Sequence, residues 1–147
     1  EADIAVGLGS DSMATNNRMH VLEEARLAVL AQRARGNEFP SMAADRVLEM
    51  ATIAGARALG LDRAVGSLEA GKAADVCAFA LDELYATPHD DPVATAVFAL
   101  GGAAARLVLV AGQPRVLDGR LLHEDEGLID RVRATGEALH ASNIAVP

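Results

Sequence analysis

Apolar residues cluster first at positions 4–9, Ile-Ala-Val-Gly-Leu-Gly, with no polar alternation. A run of this kind suits a strand buried on both faces, as in a parallel sheet. It gives way to Ser10-Asp11-Ser12 and then Asn16-Asn17, residue types that open helices by accepting hydrogen bonds from free backbone N–H groups. The spacing predicts a helix from about Met19 to Arg35. Val21, Leu22, Ala25, Leu27, Ala28, Val29 and Ala31 are assigned to its apolar side, and Glu23, Glu24, Arg26 and Arg33 to another face. Gly36-Asn37 ends it. A second, alanine-rich helix is predicted from a Ser41 cap to Leu59, with Gly60 as its stop.

The pattern then shortens. Val65 to Leu68 reads as a lead into the turn Glu69-Ala70-Gly71-Lys72, with Lys72 solvated, and 74–81 reads as a strand around Val76, Cys77 and Phe79. Residues 82–92 read as loop, and Pro92 suits the first turn of a short helix over 93–100, stopped by Gly101-Gly102. Arg106–Val110 and Arg115–Leu117 flank Ala111-Gly112-Gln113-Pro114 as a hairpin, and Asp118-Gly119 turns again. A charged helix over 125–142 is expected to turn Leu128, Ile129, Val132 and Leu139 inward. The order is one βα unit, a second helix, a group of short strands and a last helix. A parallel strand needs neighbours on its edges, and no second βα unit supplies them.

Composition narrows the possibilities. The net charge of −8 disfavours nucleic acid as a partner. With 51% hydrophobic residues the chain is not disordered as a whole, and 3% aromatics argue against stacking platforms. The single cysteine excludes a disulfide framework and a multi-cysteine zinc site. No apolar run reaches membrane-spanning length. The chain opens Glu1-Ala2-Asp3 without Met or a signal-peptide pattern, so we expect the tail of a longer protein; the alternative is a processed but complete small domain. The acidic balance and the lack of an export signal make the cytoplasm the expected compartment.

Asp11 is the first candidate for chemistry. It follows an apolar strand, and in parallel α/β architectures the active site lies at such strand ends. A carboxylate there can bind a metal or move a proton; alternatively it caps the loop. The histidines His20, His89, His123 and His140 form no His-x-His or i, i+4 pair and are read as surface or loop residues. Cys77 reads as a small buried hydrophobe with no indicated base partner. Gly7-Leu8-Gly9 lacks the third glycine of a dinucleotide fingerprint and the lysine of a P-loop.

Val6-Gly-Leu-Gly-Ser-Asp11-Ser, Asn16-Asn17 and Leu22-Glu-Glu-Ala-Arg26-Leu-Ala together resemble the last barrel strand of the amidohydrolase superfamily. More narrowly, they look like its branch of chlorohydrolases and methylthioadenosine and S-adenosylhomocysteine deaminases. Met50-Ala-Thr52-Ile-Ala-Gly55-Ala-Arg57-Ala-Leu-Gly60-Leu is similar to the helix after that barrel. Val65-Gly-Ser-Leu-Glu-Ala-Gly71-Lys72-Ala-Ala-Asp75-Val is similar to the return into a small β domain, and 107–113 with Asp118-Gly119-Arg120 also fits. The resemblance covers about 4–122.

It implies an α/β chain carrying the last βα unit of a (β/α)₈ metal-dependent hydrolase barrel plus part of a small β-sandwich domain. Residues 1–60 would be the barrel end, 61–122 part of a composite sandwich, and 123–147 a C-terminal helix. It further implies that Asp11 is the catalytic and metal-site aspartate, at a divalent metal (zinc, or alternatively iron) that activates water. The family's other ligands, its His-x-His pair and its His-x-x-Glu element are absent here. A (β/α)₈ barrel takes about 250 residues, so this chain does not contain one. The implied function is the C-terminal segment of an enzyme that hydrolytically deaminates an N-heterocycle, with a small heterocyclic substrate and a missing N-terminal barrel segment as its partners. Homo-oligomerisation follows from the family and from open sheet edges. The isolated segment is expected to be inactive and to bind zinc weakly or not at all. The alternatives are a non-catalytic interaction module and a chlorohydrolase acting on triazine-like rings.

Overall fold

Short aliphatic side chains let three helices approach closely in the first part of the fold. The structure is a computed structural model and describes residues 4–36, 42–123 and 125–141. After a single turn, α1 (Met13–Asn16), come α2 (Val21–Arg35), α3 (Ala44–Ala51) and α4 (Ile53–Ala58). Farther along lies α5 (Pro92–Ala99), whose N-cap Asp91 accepts from Val93 N at 2.9 Å and Ala94 N at 3.1 Å. Ala25 and Val29 of α2, Val47 and Met50 of α3 and Val97 of α5 form the core, with Leu8, Ala28 and Phe98 packed around it. Arg33 lies over the Phe98 ring, 5.0 Å from its centre.

Four expectations for this part change. Residues 4–9 form no strand: Ile4 and Val6 are exposed, because a strand exists only when paired and no partner strand stands beside them among the described residues. Helix α2 begins at Val21 after an N-cap His20, and Asn16-Asn17 instead close α1. Leu27 and Ala31 face solvent, whereas Glu23, Glu24 and Arg33 are half-buried. The predicted helix over 41–59 is two helices that part at Thr52 (φ −130°, ψ −106°), whose hydroxyl donates back to Leu48 O at 2.7 Å. Ser41, its expected cap, lies outside the described residues, as do Glu1–Asp3 and Asn37.

A four-stranded antiparallel sheet runs in the order β1 (Val76–Ala78), β2 (Leu107–Val110), β3 (Gln113–Leu117), β4 (Arg120–Leu121). Ala111-Gly112 (φ 49°, 77°) and Asp118-Gly119 (φ 49°, 75°) are the tight turns; the left-handed pairs match the twist of the flanking strands. The first is shorter than the expected hairpin loop, because Gln113 and Pro114 already belong to β3. Arg115 is the extra residue of a bulge beside Pro114. The Asp75 carboxylate accepts from Ala111 N at 2.6 Å and Gly112 N donates to Ala74 O at 3.0 Å, so the chain before β1 grips the turn.

Between α4 and β1 the chain stays irregular; 65–68 is not a strand. Gly66 (φ 94°) sits where a Cβ would lie 2.7 Å from the Ala56 Cβ, so this loop rests directly on α4. Lys72 is not solvated as expected. Its side chain is only 11% exposed, and its Nζ donates to Ser67 Oγ at 2.6 Å and pairs with Glu69 at 3.1 Å. The last helix, α6 (Leu128–Ala141), packs against no other element among the described residues. Leu128, Ile129, Val132 and Leu139, expected inward, are 49%, 74%, 63% and 55% exposed because no other element stands beside the helix there. No helix among the described residues is long and apolar enough to cross a membrane.

Candidate active-site aspartate and its surroundings

Two glycines place the segment that carries Asp11. A Cβ on Gly7 would lie 2.8 Å from the Gly55 Cα, and one on Gly55 would lie 2.9 Å from the Met50 carbonyl oxygen. Backbone therefore rests on backbone, and Leu8 N donates to that same Met50 oxygen at 3.1 Å. The break at Thr52 is where this approach occurs, so Gly7 and Leu8 serve as a packing surface.

Beyond this seat the chain reaches Asp11, whose φ of 57° is left-handed. Among L residues Asp tolerates this region better than most, yet it persists only where neighbours hold it. Two side chains do so, one of them anchored in turn by Glu24. The Thr15 hydroxyl lies 2.9 Å from Asp11 Oδ2 and 3.0 Å from Ser12 O, and the charged oxygen is the stronger acceptor. Asn16 Nδ2 donates to Ser10 O at 2.8 Å and to Glu24 Oε1 at 2.6 Å. Asp11 itself is exposed, and its Oδ1 has no hydrogen-bond partner among the described residues. Thr15 thus steadies one oxygen, and the other has no such bond among the described residues.

A second set of contacts ties this region to the turn after α5. Arg18 Nε pairs with Glu23 at 2.8 Å, and a Cβ on Gly102 (φ 84°) would lie 3.3 Å from Arg18 Nη2. His20 is half-buried, with Nε2 3.4 Å from Ala103 O, so it bridges two segments instead of lying free on the surface. His89, His123 and His140 are exposed as expected. Cys77 is exposed in β1 and not a buried hydrophobe, because no helix packs on the faces of its sheet among the described residues. Partial desolvation still pushes its thiol pKa up, which disfavours the thiolate and any nucleophilic role.

A divalent metal needs several convergent donors. Among the described residues no three His, Cys, Asp or Glu side chains gather into such a group. The unbonded Oδ1 of the exposed Asp11 fits the part of one hard oxygen ligand and no more. Two surface grooves are present, one along α2 and α5 (Glu23, Leu27, Phe98) and one beside α4 (Arg57, Arg63, Lys72). Asp11 lines neither.

Residues 1–115 match the model of the amidohydrolase family. The chain belongs to the amidohydrolase family. It is 37% identical over 130 residues to a 5-methylthioadenosine/S-adenosylhomocysteine deaminase of Desulforudis audaxviator, a match covering 88% of this chain and 30% of that protein. Among solved structures it resembles an adenosine deaminase from Xanthomonas campestris with bound zinc (TM-score 0.87, 29% identity, 92% of this chain and 31% of that one). It also resembles the zinc complex of atrazine chlorohydrolase from Arthrobacter aurescens (TM-score 0.77, 34% identity, 92% and 30%). The amidohydrolase chain described here spans about a third of the length of these relatives. Its mixed helix-and-strand fold matches that of these amidohydrolase structures.

Nothing in the sequence marks Thr15 and Glu24 as neighbours of the Asp11 loop. Glu24 reads as part of a charged helix face, and only the folded chain brings it to Asn16, eight positions earlier.

Proposed function

We propose that this amidohydrolase segment is the C-terminal part of a metal-dependent enzyme that hydrolytically deaminates an N-heterocycle. Asp11 is its contribution to the active site. The carrying observation is the Asp11 carboxylate, which follows the glycine-seated segment with one oxygen held by Thr15 and the other free. The similarity to named deaminases supports the reaction class. Residues 1–60 would form the end of the barrel, 61–122 part of a sandwich domain and 123–147 a closing helix. The exposed Ile4, Val6 and α6 leucines are then the faces that the rest of the protein covers.

A divalent metal bound at this site, zinc or alternatively iron, would supply Lewis-acid activation of water. This chain offers Asp11 as one ligand, and the remaining ligands come from outside it. With Oδ2 held by Thr15, the Oδ1 of Asp11 would be the atom that takes a proton from water and returns it toward the leaving group. Thr15 and Asn16 orient it through their own hydrogen bonds.

Asp11→Asn in the complete, metal-loaded enzyme should lower turnover by about 10²–10⁴-fold without unfolding it, read by ammonia release and by circular dichroism. Retained turnover would remove Asp11 from the mechanism and favour a non-catalytic, interacting segment. A second reading, displacement of chloride or another group from a triazine-like ring, rests on the 34% identity to the atrazine chlorohydrolase. Assaying the wild type for chloride beside ammonia separates the two.

A further inference from the structure

The Asn16 side chain joins the loop that carries Asp11 to a core helix. Its amide has only two protons, and both are used: one by the Ser10 carbonyl at 2.8 Å, the other by Glu24 Oε1 at 2.6 Å. Ser10 is the residue just before Asp11, so this contact fixes the peptide plane from which the left-handed Asp11 departs. Glu24 stands in the first turn of α2, one residue before the fully buried Ala25. Glu23 is already paired with Arg18, which leaves the Glu24 carboxylate to the amide. A charged acceptor makes that bond stronger than one between neutral groups.

We propose that Asn16 and Glu24 are a positioning pair for the catalytic aspartate: they refer the Ser10–Asp11 peptide to the rigid α2 helix and so set where Oδ1 stands. The inference rests on the reading of Asp11 given above. Neither residue touches reacting atoms. Thr15 fixes the carboxylate relative to its own loop, whereas the Asn16–Glu24 link fixes that loop relative to the core. Misplacing a reacting group by about an ångström costs as much as 10²-fold in rate, so loss of the link should appear in kcat.

The test uses the complete, metal-loaded enzyme. Asn16→Asp keeps the shape, cannot donate, and faces the Glu24 carboxylate. Glu24→Ala removes the acceptor, whereas Glu24→Gln keeps an amide oxygen that can accept. Asn16→Asp and Glu24→Ala should lower kcat per bound metal by roughly tenfold or more with KM little changed, and Glu24→Gln should recover most of the loss. Hydrogen exchange at the Thr15, Asn16 and Asn17 amides, which bond within this loop, should quicken in the first two variants and not in the third. The exchange readout is independent of turnover. Unchanged kcat and unchanged exchange in Asn16→Asp, beside an inactive Asp11→Asn, would overturn the pair alone. Full turnover in Asp11→Asn would overturn the reading of Asp11 and the pair with it. A lowered melting temperature with kcat per metal preserved would leave the pair a purely structural contact and overturn the proposal, as would Glu24→Gln as damaging as Glu24→Ala.

Discussion

The α2–α3–α5 cluster completely buries Ala25, Val29, Val47 and Val97, whereas every residue of the β1–β4 sheet keeps contact with solvent. The two regions are held by different forces. Side-chain packing closes the helical part, and its stability grows with apolar area removed from water. The sheet is organised by main-chain hydrogen bonds, two left-handed turns and the Asp75 grip on Ala111. One region therefore has a finished interior, and the other has a finished topology with its faces still open. The catalytic candidate is attached to the finished one, through Leu8 to Met50 of α3 and through Asn16 to α2.

This contrast predicts unequal sensitivity to substitution. The largest effect is expected at the glycine seat. Gly7→Ala places a Cβ 2.8 Å from the Gly55 Cα, where no flexible side chain can yield, and should cost about 3 kcal/mol in urea unfolding. A loss below about 1 kcal/mol would mean that residues 4–12 shift freely on α3 and α4.

The next comparison uses one substitution in both regions. Val47→Ala, in the closed core, should cost about 2–3 kcal/mol, and Val108→Ala, half-buried in β2, about 1 kcal/mol. Equal losses would erase the distinction between a packed and an open region.

The smallest effect is electrostatic. Hydrogen bonding from Ser67 first, and then the Lys72 ammonium, hold the Glu69 carboxyl below the usual carboxylate range. A lowered folded pKa means that the native state favours the carboxylate. Its contribution is present above the unfolded pKa and is lost as pH falls through the folded one. Glu69→Gln should therefore reduce stability slightly at neutral pH and make no difference in strong acid, measured by melting temperature against pH. A constant difference across that range would assign the effect to packing.

Legibility in the sequence divides along the same line. Elements set by local chemistry are plain in it: Pro92 opens α5, Gly36 follows α2, and Ala111-Gly112 and Asp118-Gly119 turn the strands. Asp11 as the candidate is legible too, from its motif. Features that depend on neighbours are not. The run 4–9 has strand composition, but pairing is a property of at least two segments. The break at Thr52 arises where Gly7 and Gly55 meet, and alanine-rich periodicity runs through it without a mark. The apolar stripe of α6 indicates a face to be covered and cannot say by what. Lys72 and Glu24 look solvated because charge predicts exposure, and each is drawn in by partners that only the fold supplies: Ser67 and Glu69 for Lys72, Asn16 for Glu24.

The contact between Gly7 and Gly55 also limits how this chain can vary. Most tight contacts can be relieved by shrinking the opposite residue, so that a change at one position becomes tolerable after a change at the other. Here both residues already lack a side chain, and the opposing atoms are main chain. A substitution at either position has no compensating partner at the other. In a library randomised at both sites, selection for the fold should return glycine twice, independently, with no covariation between them.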